Sequence, residues 1–155
     1  MCGMSLAAVA EDFRQRHADI EILSLDESGA TVDEAAQTLG IPPDAVAKTL
    51  ALHRGEEVIL LVTRGDTRID NRKYRDTFHE KARMLKPEEV EPLTGHPVGG
   101  LCPFGLKGSP RIYMDESLRV HEYVYPAAGD RFHAFRIATQ QLEDMTGAQW
   151  VDVCR

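Results

Sequence analysis

The chain has 155 residues, the size of one domain, and is 43% hydrophobic and 28% charged. A chain of this length and make-up can bury a core without a metal or disulfide staple. Its net charge of −7 argues against a broad nucleic-acid-binding surface, because such surfaces neutralise phosphates.

No apolar run approaches the roughly 20 residues that span a bilayer, so no membrane association is expected. Residues 1–10 are mildly apolar but lack a basic stretch, and Glu11 and Asp12 follow at once, which is unlike a secretory signal. The cysteines are Cys2, Cys102 and Cys154. Their number is odd, their spacing is wide and no CxxC occurs, so reduced thiols in a cytoplasmic protein are expected. No pair of histidines has metal-ligand spacing, and no metal site is expected.

In chain order, residues 5–18 carry Leu6, Val9, Ala10, Phe13 and His17 at helical spacing. Residues 20–25 alternate like a short strand. Thr31-Val32-Asp33-Glu34 is a capping box that opens a helix through Leu39, closed by Gly40. Pro42-Pro43-Asp44 makes a turn. Residues 46–53 and 58–63 are β-rich runs joined by Arg54-Gly55-Glu56-Glu57, and they read as a hairpin.

Asp70 or Asn71 can cap a helix that carries Tyr74 and Phe78. Lys86-Pro87-Glu88-Glu89-Val90 starts another short helix, with proline in its first turn. Residues 95–110 form a loop segment that holds five of the twelve glycines. Residues 111–114, 122–125 and 134–137 read as strands, 140–145 as a helix closed by Gly147, and 149–153 as a last strand. There is no internal repeat and no linker. The expected fold is one mixed α/β (α+β) domain over residues 1–155, with too many hairpin-type connections for a doubly wound parallel sheet.

Charge is unevenly spread. Between Arg64 and Lys86 stand Arg64, Arg68, Arg72, Lys73, Arg75, Lys81, Arg83 and Lys86 against Asp66, Asp70, Asp76 and Glu80, a local excess of four positive charges. Such a patch suits a brief contact with a phosphate chain, or is a solvated helix face laced with ion pairs.

Lys48 interrupts an apolar row. Alternate strand residues share a face, so Val46, Lys48, Leu50 and Leu52 point one way. An ammonium aimed at a core is costly unless it is paired or reaches a polar cavity. Either Lys48 is functional, or it snorkels out near the strand start. The second candidate is Gly99-Gly100-Leu101-Cys102-Pro103-Phe104-Gly105. Its glycines allow close approach to the main chain, and successive N–H groups can cradle an oxygen, although a tight structural turn reads the same way. Cys102 in that loop could be a nucleophile only with a base and an electropositive setting, and is read here as a small loop residue. Asp115 ends a strand, where it could orient the glycine loop, pair with Lys48 or cap a turn. His133 and His121 are candidate bases whose geometry the sequence does not fix.

In order and spacing these pieces resemble the YbaK/EbsC family, related to the editing domain inserted in bacterial prolyl-tRNA synthetases. The resemblance rests on Val46-Ala47-Lys48-Thr49-Leu50, Val98-Gly99-Gly100-Leu101-Cys102-Pro103-Phe104-Gly105 and Met114-Asp115. Ala127-Ala128-Gly129, His133-Ala134-Phe135 and Leu142 add to it. It covers nearly the whole chain. It implies a mixed, partly barrel-like sheet flanked by helices and opening onto one cleft. It implies hydrolysis in trans of tRNA mischarged with cysteine, alanine, serine or threonine. The partner is then the acceptor end of a mischarged tRNA, with an aminoacyl-tRNA synthetase as a further candidate partner.

By the same resemblance, Lys48, Gly99, Gly100 and Asp115 are the expected catalytic residues. Thr49, Leu101, Cys102, Pro103, Phe104, Gly105, Gly129 and His133 are the expected substrate-binding ones. Lys48-Thr49 matches some cysteine-removing relatives, whereas some alanine-removing relatives have Lys-Asn. The chain departs from the cysteine-specific pattern at Asp130-Arg131-Phe132-His133-Ala134, where those relatives carry Gly-Lys-Arg-Gly before an aspartate. The implied chemistry needs no cofactor. The ester is already activated, loop N–H groups stabilise its developing oxyanion, and water or a cysteinyl substrate's own thiol attacks. A non-catalytic amino-acid- or tRNA-binding module of the same fold is the alternative reading.

Overall fold

A computed structural model describes residues 2–155, with side chains from Ser5 onward. The Cys2 thiol lies outside the described residues. Helix α1 (Cys2–Gln15) turns Val9 and Phe13 inward. It ends earlier than the periodicity predicts because His17 takes a left-handed φ of 55°, which no helix continues through. The short strand β1 (Ile22–Ser24) follows. Helix α2 (Val32–Leu39) starts on the expected capping box, with the Thr31 hydroxyl accepting from the Glu34 N–H.

The hairpin of β2 (Val46–Arg54) and β3 (Glu57–Arg64) forms as read, antiparallel along its whole length. Asp70 caps α3 (Asn71–Phe78) by accepting from the N–H groups of Arg72 and Lys73. Then come β4 (Arg83–Met84), α4 (Pro87–Thr94), β5 (Arg111–Asp115), β6 (Tyr123–Pro126), β7 (His133–Phe135), β8 (Ile137–Ala138), α5 (Thr139–Thr146) and β9 (Gln149–Val151).

The main sheet runs β8-β6-β2-β3-β5-β9, with β4 also on β2. Its parallel pairs are β2–β6, β3–β5 and β5–β9. The sheet is curled into a half-barrel, and β1 pairs with β7 in a separate two-stranded sheet. Two features differ from the sequence reading. Residues 134–137 are not one strand: the chain passes from β7 to β8 at exposed Arg136 and so joins two sheets. The two-residue strand β4 is too short to leave a periodic signal.

Ile59, Leu60, Leu61 and Val62 are all fully buried, which explains why β3 shows no alternation: both faces of the hairpin are covered. On one face α1 packs with Phe104, Met114 and Phe135, and the rings of Phe13, Phe104 and Phe135 meet edge to face at 5.0–5.9 Å. On the other, Tyr74 and Phe78 of α3 pack on Leu52, Leu61 and Tyr113.

One buried polar relay pins α1 to the glycine loop. His96 is fully buried, its Nδ1 is bonded to the Ser5 hydroxyl, and its Nε2 lies 2.6 Å from the Phe104 carbonyl. Nε2 must donate to the carbonyl, and burial favours the neutral ring, in which Nδ1 accepts from the Ser5 hydroxyl. Burial lowers its pKa, with the Phe104 bond partly opposing. A depressed histidine pKa gives stability that is complete above the unfolded value of about 6.5 and fades as pH falls through the folded one. Melting temperature should therefore drop as pH falls below about 6.5, and His96→Gln should flatten that slope. An unchanged slope in the variant would assign the acid sensitivity elsewhere.

Candidate active site

Strand β2 is where the sheet opens. β3 pairs with the whole of one edge, but the other edge is shared: β6 takes Val46 and Ala47, and β4 takes Leu52 and His53. Lys48, Thr49 and Leu50 have no strand partner on that edge among the described residues. The Val46 carbonyl accepts from Gly65 N–H on the β3 side, and the Ala51 carbonyl accepts from Leu85 N–H on the other. Main-chain groups alternate along a strand, so the N–H and C=O of Thr49 point into the opening.

A cleft of about 310 Å³ lies over this stretch. Val32, Ala35 and Leu39 of α2 form one wall, β2 residues 46–50 the floor, and Gly99, Leu101 and His133 the far rim.

Lys48 lines the cleft and does share its row with Val46 and Leu50, half-buried. Its Nζ donates to the Thr67 carbonyl. Burial lowers its pKa, and nearby negative charge, including Asp66, partly offsets this. The Thr49 hydroxyl is buried without a hydrogen-bond partner in the protein.

Asp115 does not reach the cleft. It is buried, with Oδ1 accepting from Val153 N–H at 2.8 Å and Oδ2 from Ser117 N–H at 2.9 Å. It fixes the C-terminal segment whose Cys154 thiol sits beside Lys48 and Thr67, so its influence on Lys48 is indirect.

The glycine loop divides. Gly99 and Leu101 line the cleft, and their N–H groups bond to no protein group among the described residues. Gly99 has φ +89°, open to glycine at little cost. The Gly100 N–H is committed to the Pro97 carbonyl at 3.0 Å, and its carbonyl takes the Gly129 N–H at 3.1 Å. Gly100 and Gly129 therefore shape the rim and do not line it. Cys102, Pro103 and Phe104 are buried in the core beneath, and Gly105 N–H is spent on Asp12 Oδ2 at 2.7 Å. These four are not brought to the cleft.

Burial pushes the Cys102 thiol up to about 12, and its sulfur is tied to Phe104 N–H at 3.3 Å. A thiol so placed is not a nucleophile at neutral pH. Cys102→Ala should keep full activity and cost about 1 kcal/mol of stability. Loss of turnover in a folded variant would point instead to a covalent enzyme.

His133 faces the cleft with its ring fixed. Nδ1 lies 2.8 Å from Asp130 Oδ1, which also accepts from Phe132 N–H at 2.8 Å. Asp130 is buried. A carboxylate on Nδ1 leaves Nε2 as the ring nitrogen available to a ligand. Asp130 escaped the sequence reading, although a carboxylate three residues before a candidate histidine is a visible signal. The α2 wall escaped it too, because nothing in residues 32–39 marks them as more than an amphipathic helix.

In the basic segment, Arg64 pairs with Asp66 and Lys73 with Asp152. The described residues hold no group of three or more His, Cys, Asp or Glu side chains placed to bind a metal ion. No helix among them is long and apolar enough to cross a membrane.

Comparison with known proteins identifies the family and the fold. Residues 26–145 match the sequence model of the aminoacyl-tRNA editing domain, and the chain belongs to that family. It is 42% identical to the uncharacterised protein YwhH of Bacillus subtilis (strain 168), over 98% of each chain. It is 24% identical to EbsC of Enterococcus faecalis (strain ATCC 700802 / V583), a candidate Cys-tRNA(Pro)/Cys-tRNA(Cys) deacylase, over 82% of this chain and 79% of EbsC. A solved structure described as a candidate trans-editing enzyme for prolyl tRNA synthetase superposes with a TM-score of 0.89 at 30% identity, covering 97% of each chain. The fold is thus the YbaK type, as the sequence motifs imply.

Proposed function

We propose that this protein is an aminoacyl-tRNA deacylase that hydrolyses, in trans, the ester of a tRNA mischarged with a small amino acid: cysteine, serine, threonine or alanine. The observation that carries the reading is the convergence of Lys48, Thr49, Gly99 and His133 on one cleft of about 310 Å³ at an opened strand edge.

In this reading the N–H groups of Gly99 and Leu101 receive the ester carbonyl and the charge that develops on it. Gly100 supports them and is not itself a donor. Water adds to the carbonyl carbon, the bond to the ribose oxygen breaks, and the proton passes through His133 Nε2 to that oxygen. Lys48 acts as a fixed cation for the neighbouring phosphate or the developing charge. The cleft's apolar α2 wall limits the size of the amino acid. Size alone separates near-isosteres by only about 1–3 kcal/mol, so several small residues are accepted to different degrees. A cytoplasmic location and a synthetase that hands over the tRNA belong to the same proposal.

The test is a multiple-turnover assay with Cys-, Ser-, Thr- and Ala-charged tRNAs, following loss of the esterified amino acid. Release of at least one above the uncatalysed rate is expected. Binding of charged tRNA without turnover would favour a non-catalytic module of the same fold.

A further inference from the structure

A second, apolar groove of about 220 Å³ adjoins the cleft and shares Thr49, Leu50, Gly99 and Leu101 with it. Ala51, Leu85 and Val90 line its base, and Met84 and Val98 stand at its lips, 48% and 61% exposed. Solvent-facing methionine and valine beside an unpaired strand edge leave apolar surface and polar main chain both uncovered.

The strand edge is left open by design of the register. Pairing of Leu52 with Met84 and His53 with Arg83 would bring residue 87 opposite Thr49. Residue 87 is proline, which has no N–H to give the Thr49 carbonyl, and the chain turns there into α4. On the other side, the pairing with β6 stops at Ala47 and Pro126. Thr49 therefore offers a donor beside an acceptor, N–H and C=O, at the join of cleft and groove. Its buried hydroxyl is unpartnered as well. Buried polar groups of this kind are seldom left unmatched.

We infer that this groove holds the nucleobase of the substrate's terminal adenosine, an inference that rests on the deacylase reading. A flat heteroaromatic ring fits apolar lips on its faces, and adenine carries an amine beside a ring nitrogen to meet the C=O and N–H of Thr49. The ester under attack is one ribose away from that base, which matches two cavities that share a boundary at Thr49 and Gly99. The groove's lip is also the end of the basic segment: exposed Arg83 and Lys86 flank Met84 and Leu85, where the phosphates leading to that nucleoside would pass.

The test has two arms. In the first, adenosine is titrated at millimolar concentration into isotope-labelled protein. It shifts the Thr49 amide and Met84 methyl signals saturably, and N6,N6-dimethyladenosine, which cannot donate, binds at least about tenfold more weakly. In the second, the double variant Met84→Asp/Val98→Asp, altered only at exposed positions, raises KM for a mischarged tRNA at least about tenfold with kcat nearly unchanged. Absence of adenosine shifts at Thr49 and Met84, or an unaltered KM in a folded variant, overturns the inference. If adenosine shifts these signals but no charged tRNA is hydrolysed, the nucleoside groove stands and the deacylase reading falls. Hydrolysis with an unaltered KM sinks the groove alone.

Discussion

Lys48→Met is expected to lower kcat/KM for a mischarged tRNA by at least about 100-fold, a loss of about 2.7 kcal/mol in transition-state stabilisation. Methionine keeps the apolar stem and most of the length of the side chain and removes the charged donor at its end. The stem lies in the row of Val46 and Leu50, and burial already weighs against the ammonium. The folded state should therefore tolerate the change, with stability altered by no more than about 1 kcal/mol: the Thr67 carbonyl loses its donor, but a half-buried charge is also removed. Arginine should rescue poorly, because its planar fork cannot occupy the place of a compact ammonium. The check is steady-state deacylation alongside thermal melting. Near-wild-type turnover by a folded Lys48→Met protein would remove Lys48 from the chemistry.

Gly100→Ala is expected to fail for a different reason. A Cβ on residue 100 would sit 2.5 Å from the Cα and N of Asp130 and 2.6 Å from the Gly129 carbonyl carbon. These are backbone atoms, so relief requires the 129–133 turn to move. That turn positions Asp130 and, through it, His133. Overpacking of this kind costs about 3 kcal/mol, which lowers the melting temperature by about 9 °C for a chain of this size. Activity should fall further than stability explains, because the His133 ring loses its alignment. Calorimetry and deacylation of the same preparation separate the two effects. A variant with wild-type stability would show that the loop gives way more easily than its contacts suggest.

The central hairpin was legible because β-rich runs flanked a turn, and α2 because its capping box is a local signal. Lys48 was visible as a charge within an apolar row. What it touches was not, since Thr67 and Cys154 meet it only through long-range packing. The glycine loop was visible as a whole, but its division was not. Which main-chain groups stay free depends on Pro97 and Asp12, which take N–H groups, and on Gly129, which takes a carbonyl, at separations from three residues to more than ninety. The apolar character of Cys102 and Phe104 is the one local hint that the loop's second half turns into the core. Asp115 looked like a site residue for the reason that made it a cap: a carboxylate at a strand end finds main-chain N–H groups first.

The proposed reaction requires the aminoacyl ester to bind in the cleft between β2, α2 and the Gly99 rim. The most direct measurement is a crystal structure with a non-hydrolysable 3′-aminoacylamido-adenosine bearing a small amino acid. The carbonyl oxygen is expected within hydrogen-bond reach of the Gly99 or Leu101 N–H, with the amino acid against α2 and Lys48 and His133 flanking the amide. The same analogue bound away from Lys48, Thr49 and Gly99, with the cleft unoccupied, would contradict it.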